Sequence, residues 1–128
     1  MSQRVLLVED SRVQATQLQQ HLQQYGLSVE VVGYGRQALE VARLTAPDVV
    51  VLDVELPDTN GYEICRSLKN DPITAHIPVV MLTMRDTHRD ALDGMIHGAI
   101  DYIAKDAFAP ANLITSLRSI GVLNRSSS

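Results

Sequence analysis

Cysteine is nearly absent from this 128-residue chain. The lone Cys65 excludes an internal disulfide framework, and its place on an apolar helical stripe reads as a buried thiol rather than a nucleophile. Basic residues are also in deficit: 11 Lys and Arg against 15 Asp and Glu leave a net charge of -4 at pH 7, with no basic footprint for nucleic acid. The four histidines, His21, His76, His88 and His97, share no ligand spacing, so a histidine metal centre is not indicated. No run approaches the ~18 apolar residues of a membrane span, and Met1 to Arg4 do not open a signal peptide. The expectation is a cytoplasmic protein without membrane contact. Internal repeats are lacking, and low complexity is confined to Ser126-Ser127-Ser128, a frayed tail or a cut linker. The length suits one domain over 1–128, with a core of about 4–123.

What the chain does have is a set of short apolar runs. Val5-Leu6-Leu7-Val8, Val49-Val50-Val51-Leu52 and Pro78-Val79-Val80-Met81-Leu82 are near-continuous, as in strands covered on both faces, and Asp101-Tyr102-Ile103-Ala104 reads as another strand. Helical patterns of crossover length separate them, which makes the strands parallel. Ser11 caps a helix expected over 12–25, with Ala15, Leu18, Leu22 and Tyr25 at three-to-four spacing before Gly26. A strand over 28–32 precedes a helix around 37–44, with Ala38, Leu39 and Ala42 inward, stopped by Ala46-Pro47. The polar turn Pro57-Asp58-Thr59-Asn60-Gly61 leads to a helix with Ile64, Cys65 and Leu68 on one stripe, ended by Asn70-Asp71-Pro72. Ala91, Leu92, Met95 and Ile96 repeat helically up to Gly98, and Leu113, Ile114 and Leu117 mark a last helix. Five β/α units give an α/β fold: a five-stranded parallel sheet with helices on both faces.

The strand ends carry the chemistry. Glu9 and Asp10 follow the first run, Asp53 ends the third, Thr83 follows the fourth and Lys105 the fifth, gathering acids, a hydroxyl and an amine at the sheet edge where open α/β sheets build sites. Three acids against one lysine call for a divalent cation, and oxygen-only ligation with room for water and phosphate suits Mg²⁺ rather than zinc. The plainer reading, that each acid caps a helix or is a solvated loop charge, explains one such residue but not the convergence of all of them.

Glu9-Asp10, Asp53 with Leu56-Pro57 and Gly61, Thr83, and Tyr102 with Lys105 resemble the receiver domain of two-component response regulators, including chemotaxis-type single-domain members, over nearly the whole chain. The resemblance implies a flavodoxin-like strand order 2-1-3-4-5. It implies that Asp53 accepts a phosphoryl group from a phosphohistidine on a sensor histidine kinase or histidine phosphotransfer protein. Asp10, Asp53 and the main-chain carbonyl of Glu55 would hold Mg²⁺, with Glu9 acting through water. Lys105 would pair with a phosphoryl oxygen, Thr83 would hydrogen-bond to the incoming group, and Tyr102 would switch inward, changing a face that binds a downstream protein or a fused output domain.

Three departures from that pattern stand out. Asp106 replaces the proline that usually follows the lysine, and a cis bond to a non-proline residue costs ~2.5 to 4 kcal/mol, so a trans Lys105-Asp106 bond is expected. Met84 stands where a small residue is usual, and Asp106 adds negative charge. The resemblance also implies that Glu55 and Arg85, two residues after Asp53 and Thr83, would flank the path of the hydrolytic water, and their opposite charges suggest an ion-paired gate with Met84 beside it. Two other readings stay open: a degenerate receiver that docks without phosphorylation, and a dinucleotide-binding enzyme using Gly33-Tyr34-Gly35-Arg36-Gln37-Ala38, which fits G-x-G-x-x-G/A. Against the latter, a complete strand and helix precede the fingerprint. Gly33 and Gly35 then simply turn the chain.

Overall fold

The computed structural model describes residues 3–84 and 98–123. In chain order these form β1 (Arg4–Val8), α1 (Arg12–Gln23), β2 (Ser28–Val32), α2 (Gly35–Thr45), β3 (Val49–Asp53), α3 (Gly61–Asn70), β4 (Val79–Thr83), β5 (Asp101–Ala104) and α4 (Ala109–Ser119). The strands make one parallel sheet in the order β2-β1-β3-β4-β5. The helical pattern at Ala91, Leu92, Met95 and Ile96, and Arg85 with it, lies outside the described residues.

Alternation along the strands divides the apolar residues between two cores. Val5, Leu7, Val49, Val51, Val80 and Leu82 meet Ala15, Leu18 and Leu22 of α1 and Leu113 and Leu117 of α4. On the other face Leu6, Val8, Val50, Leu52 and Met81 meet Ala38 and Ala42 of α2 and Ile64, Cys65 and Leu68 of α3. Each fully buried Val or Leu contributes ~1.5 to 3 kcal/mol, but with both faces of β3 apolar this gain does little to set register. Asp53 does more. A slip by one residue toward the sheet interior would strand its carboxylate away from polar partners, a cost no extra valine burial offsets.

Helix boundaries follow their caps. Ser11 Oγ accepts from Gln14 N at the start of α1, and the helix stops two residues short of the expected 25 because Gly26, at φ 83°, turns the chain out of it. Asn60 caps α3 by accepting from Tyr62 N. The α2 helix begins at Gly35, two residues before the expected 37, and its N-cap Tyr34 makes no side-chain capping bond. Its cap comes from elsewhere in the chain.

Candidate functional site

The parallel ladders bring the strand ends level. Asp53 lies beside Leu82, Val54 N donates to Leu82 O at 2.9 Å, Glu9 N to Val32 O at 3.0 Å and Lys105 N to Thr83 O at 2.6 Å. The expected residues Glu9, Asp10, Asp53, Thr83 and Lys105 therefore meet at the carboxyl edge of the sheet. Carboxylate oxygens of Glu9, Asp10 and Asp53 all lie within 4.8 Å of one another, Glu9 and Asp53 buried and Asp10 exposed. Lys105 Nζ donates to Asp53 Oδ2 at 2.8 Å and sits 2.5 Å from Glu9 Oε1. The other oxygens are held by main-chain donors: Glu55 N to Asp53 Oδ1 at 3.1 Å and Ser11 N to Glu9 Oε2 at 3.1 Å. The tie of Glu9 Oε1 to the same ammonium is a buried ion pair.

Burial pushes the Glu9 carboxyl above its usual range; Lys105 opposes this, and the charge of Asp53 adds to it. Burial also works against the Lys105 ammonium, but the hydrogen bonds and charges of Asp53 and Glu9 outweigh it and its pKa is raised. Among the described residues three acids meet one contacting lysine, and all the grouped donor atoms are carboxylate oxygens. The set fits a hard divalent cation of the magnesium kind.

Glu9 and Asp10 also line an open cleft of about 470 Å³ with Arg12, Gly33, Tyr34 and Pro57. Sequence reasoning did not place Arg12 there; its position in the first turn after Asp10 was the available signal. The loop after Asp53 is folded back on itself, with Gly61 N donating to Val54 O at 2.7 Å and Glu55 bridging Asn60. Gly61 is required by closeness, since a Cβ there would meet the Asp53 carbonyl and Val54 Cα.

Gly33 and Gly35 sit where the chain turns from β2 into α2, as expected, but neither has a positive φ, and Gly35 serves a close approach. A Cβ on Gly35 would run into Thr59 Cγ2, and the Gly35 amide donates to Asp58 Oδ1 at 2.9 Å. Asp58 Oδ2 accepts from Arg36 N at 3.0 Å and Arg36 Nε at 3.2 Å. Desolvation opposes ionisation of Asp58, but these N–H donors outweigh it and hold its pKa below the usual range. The α2 N-terminus, where a pyrophosphate would bind, thus already carries a carboxylate that would repel one. The sequence reading used Asp58 only as a turn residue; the missing local cap at Tyr34 was the clue.

Thr83 is fully buried beside Ala104. Tyr102, half-buried, lies opposite Met81 and packs on the core shared with α2 and α3. Met84 is 62% exposed and lines a groove with Gln14, Gln17, Lys105, Asp106 and Pro110. The Lys105-Asp106 peptide is trans. Burial raises the Cys65 thiol pKa to about 11, with Lys69 opposing, in keeping with a core thiol. No described helix is long and apolar enough to cross a membrane.

A parallel sheet in the order β2-β1-β3-β4-β5, with acids and a lysine at its carboxyl edge, places the chain among flavodoxin-like α/β domains. The chain belongs to the response regulator receiver domain family, whose profile matches residues 5–118, a family of phosphorylation-dependent two-component signalling domains. It is 42% identical over 118 residues to the transcriptional regulatory protein CreB of Escherichia coli, covering 91% of this chain and 49% of that protein. With the response regulator PleD of Caulobacter vibrioides it shares 38% identity over 105 residues, 82% of this chain and 23% of the relative. The chain therefore spans half or less of these two curated relatives. Among solved structures, the receiver domain of the sensor histidine kinase PA1611 from Pseudomonas aeruginosa superposes with a TM-score of 0.84 at 30% identity, over 93% of this chain and 97% of that one; it has magnesium coordinated in its active-site cleft.

Proposed function

We propose that residues of about 4–123 act as one receiver unit that takes a phosphoryl group on Asp53 from a phosphohistidine of a sensor kinase or phosphotransfer protein. The observation that carries this is the convergence of Glu9, Asp10 and Asp53 with Lys105 on two of them. An Asp53 oxygen attacks phosphorus and the P–N bond breaks. Its electron pair stays on the imidazole nitrogen, which takes up a proton, and an acyl phosphate forms. In hydrolysis, water attacks phosphorus, the bond to Asp53 breaks, and the carboxylate and dihydrogen phosphate result. Asp10, Asp53 and the Glu55 carbonyl would hold Mg²⁺, with Glu9 acting through water, and the ion would offset charge on the phosphoryl oxygens.

Before transfer Lys105 is committed to Asp53 and Glu9. Arrival of the phosphoryl group lets it exchange a carboxylate for a phosphoryl oxygen, Thr83 hydrogen-bonds to the same group, and Tyr102 follows. The altered face, on and beside β5, engages a downstream protein or a fused output domain, with no role for nucleic acid or membrane in this unit. Asp53→Asn tests the assignment: it should abolish acid-labile labelling by a small phosphodonor in Mg²⁺ with the circular dichroism unchanged, and undiminished labelling would refute it. Beryllofluoride binding that needs Mg²⁺ separates this reading from a docking module or a nucleotide-binding enzyme, neither of which would show it.

A further inference from the structure

The loop that follows Asp53 is fastened at its far end to a different layer of the fold. Asp58 reaches across 23 and 22 positions to the amides of Gly35 and Arg36, its side chain 6% exposed, while Thr59 lies where a side chain on Gly35 would be. The α1 and α3 helices are capped by their own N-cap residues, Ser11 and Asn60, but α2 has no such bond from Tyr34. At its near end the same loop sends Glu55 N to Asp53 Oδ1 at 3.1 Å. An uninterrupted set of contacts thus runs from α2 through Asp58 and the loop to Asp53, and Gly33, Tyr34 and Pro57, on either side of the clamp, help to wall the cleft beside Glu9 and Asp10.

We propose that Asp58 is a positioning residue: by clamping the loop onto the N-terminus of α2 it sets where the Glu55 main chain lies, and so orients the Asp53 carboxylate for metal binding and phosphoryl acceptance. The inference rests on the receiver reading of Asp53. Freed of the clamp, the loop between Val54 and Gly61 keeps its own hairpin-like bonds and the packing of Leu56 on the core, but loses its polar tie to α2, and the Glu55 amide and carbonyl sample positions that do not serve Asp53. The ion pair with Arg36 is incidental. Its guanidinium is 83% exposed, whereas the two amide bonds belong to a fixed helix end.

The experiment compares Asp58→Ala, Asp58→Asn and Arg36→Ala with the parent protein. Backbone NMR reads the Glu55 amide without metal, Mg²⁺ titration gives the dissociation constant, and a small phosphodonor gives the labelling rate. Asp58→Ala should shift the Glu55 amide and weaken Mg²⁺ binding and labelling roughly three- to tenfold each, since two neutral-to-charged hydrogen bonds are lost. Asp58→Asn, which keeps one acceptor, should fall between, and Arg36→Ala should stay within about twofold of the parent, as exposed pairs do.

A merely structural role is separated by giving α2 a local cap. Tyr34→Ser in the Asp58→Ala background should recover helix stability without recovering the Glu55 shift or Mg²⁺ affinity. Recovery of all three, or an Asp58→Ala protein equal to the parent in metal affinity and labelling, overturns the clamp. Undiminished labelling of Asp53→Asn would instead overturn the receiver reading on which it rests.

Discussion

Lys105→Met is the most telling perturbation of this site. It keeps the apolar stem but removes the ammonium that touches both Glu9 and Asp53, whose side chains are 1% and 2% exposed. Removing one partner of a buried ion pair costs ~3 to 5 kcal/mol because the remaining charge is left uncompensated. Here Asp10 and the cleft beside the site are open to water, which places the loss near ~3 kcal/mol, a large share of the ~5 to 15 kcal/mol a domain commonly has. Mg²⁺ should restore much of it: at a hundred times its dissociation constant a ligand stabilises by ~2.7 kcal/mol, and in the mutant the ion no longer meets a competing ammonium.

The pH dependence has a definite sign. The raised Lys105 pKa means its contribution is full below ~10.4 and is lost as pH rises through the higher folded value. Glu9 is also raised, so the fold loses stability as pH climbs from the unfolded value of ~4.3 through the folded one. Without Lys105 that shift grows, and the mutant's deficit should be smaller near about pH 5 than at neutrality. Urea unfolding followed by circular dichroism, in chelator and in Mg²⁺, measures both effects with an unchanged denaturant slope. A deficit under ~1 kcal/mol in chelator, or equal stabilisation of both proteins by Mg²⁺, would show that Lys105 does not compensate the two buried acids.

Gly61→Ala should destabilise by at least ~1 to 3 kcal/mol and slow labelling of Asp53, because the new methyl meets main-chain atoms of Asp53 and Val54 that cannot rotate away; urea midpoints and labelling rates check this together. Cys65, with its thiol pKa at about 11 and no exposed surface, should react with an alkylating reagent at pH 8 only at the rate of opening, so a fast denaturant-independent reaction would contradict its burial. Glu55→Ala and Arg85→Ala should each speed loss of the phosphoryl group a few-fold, since an exposed pair is worth only ~0.2 to 1 kcal/mol and a tenfold rate change needs ~1.4 kcal/mol. The double mutant should be less than additive and Met84→Ala should add to either; additive charge mutants in a dephosphorylation assay would exclude a gate.

What the sequence determined by itself is whatever follows from local pattern. The runs at Val5, Val49 and Val79 are apolar on both faces because both faces are covered, and that composition already separates parallel buried strands from half-exposed ones. β2 and β5 were legible to the residue, and the strand ends named Glu9, Asp10, Asp53, Thr83 and Lys105, because polar residues closing apolar runs are visible without any contact information. Tertiary structure alone decided contacts between distant segments: Lys105 on Asp53, 52 positions apart, Asp58 on the α2 N-terminus, and Thr59 against Gly35. The Gly35 case shows why. A glycine kept for positive φ and one kept for close approach look identical in sequence, and only the packed neighbour distinguishes them. The start of α2 was misjudged for the same reason, since its capping carboxylate arrives from a loop more than twenty residues away, where no local propensity records it.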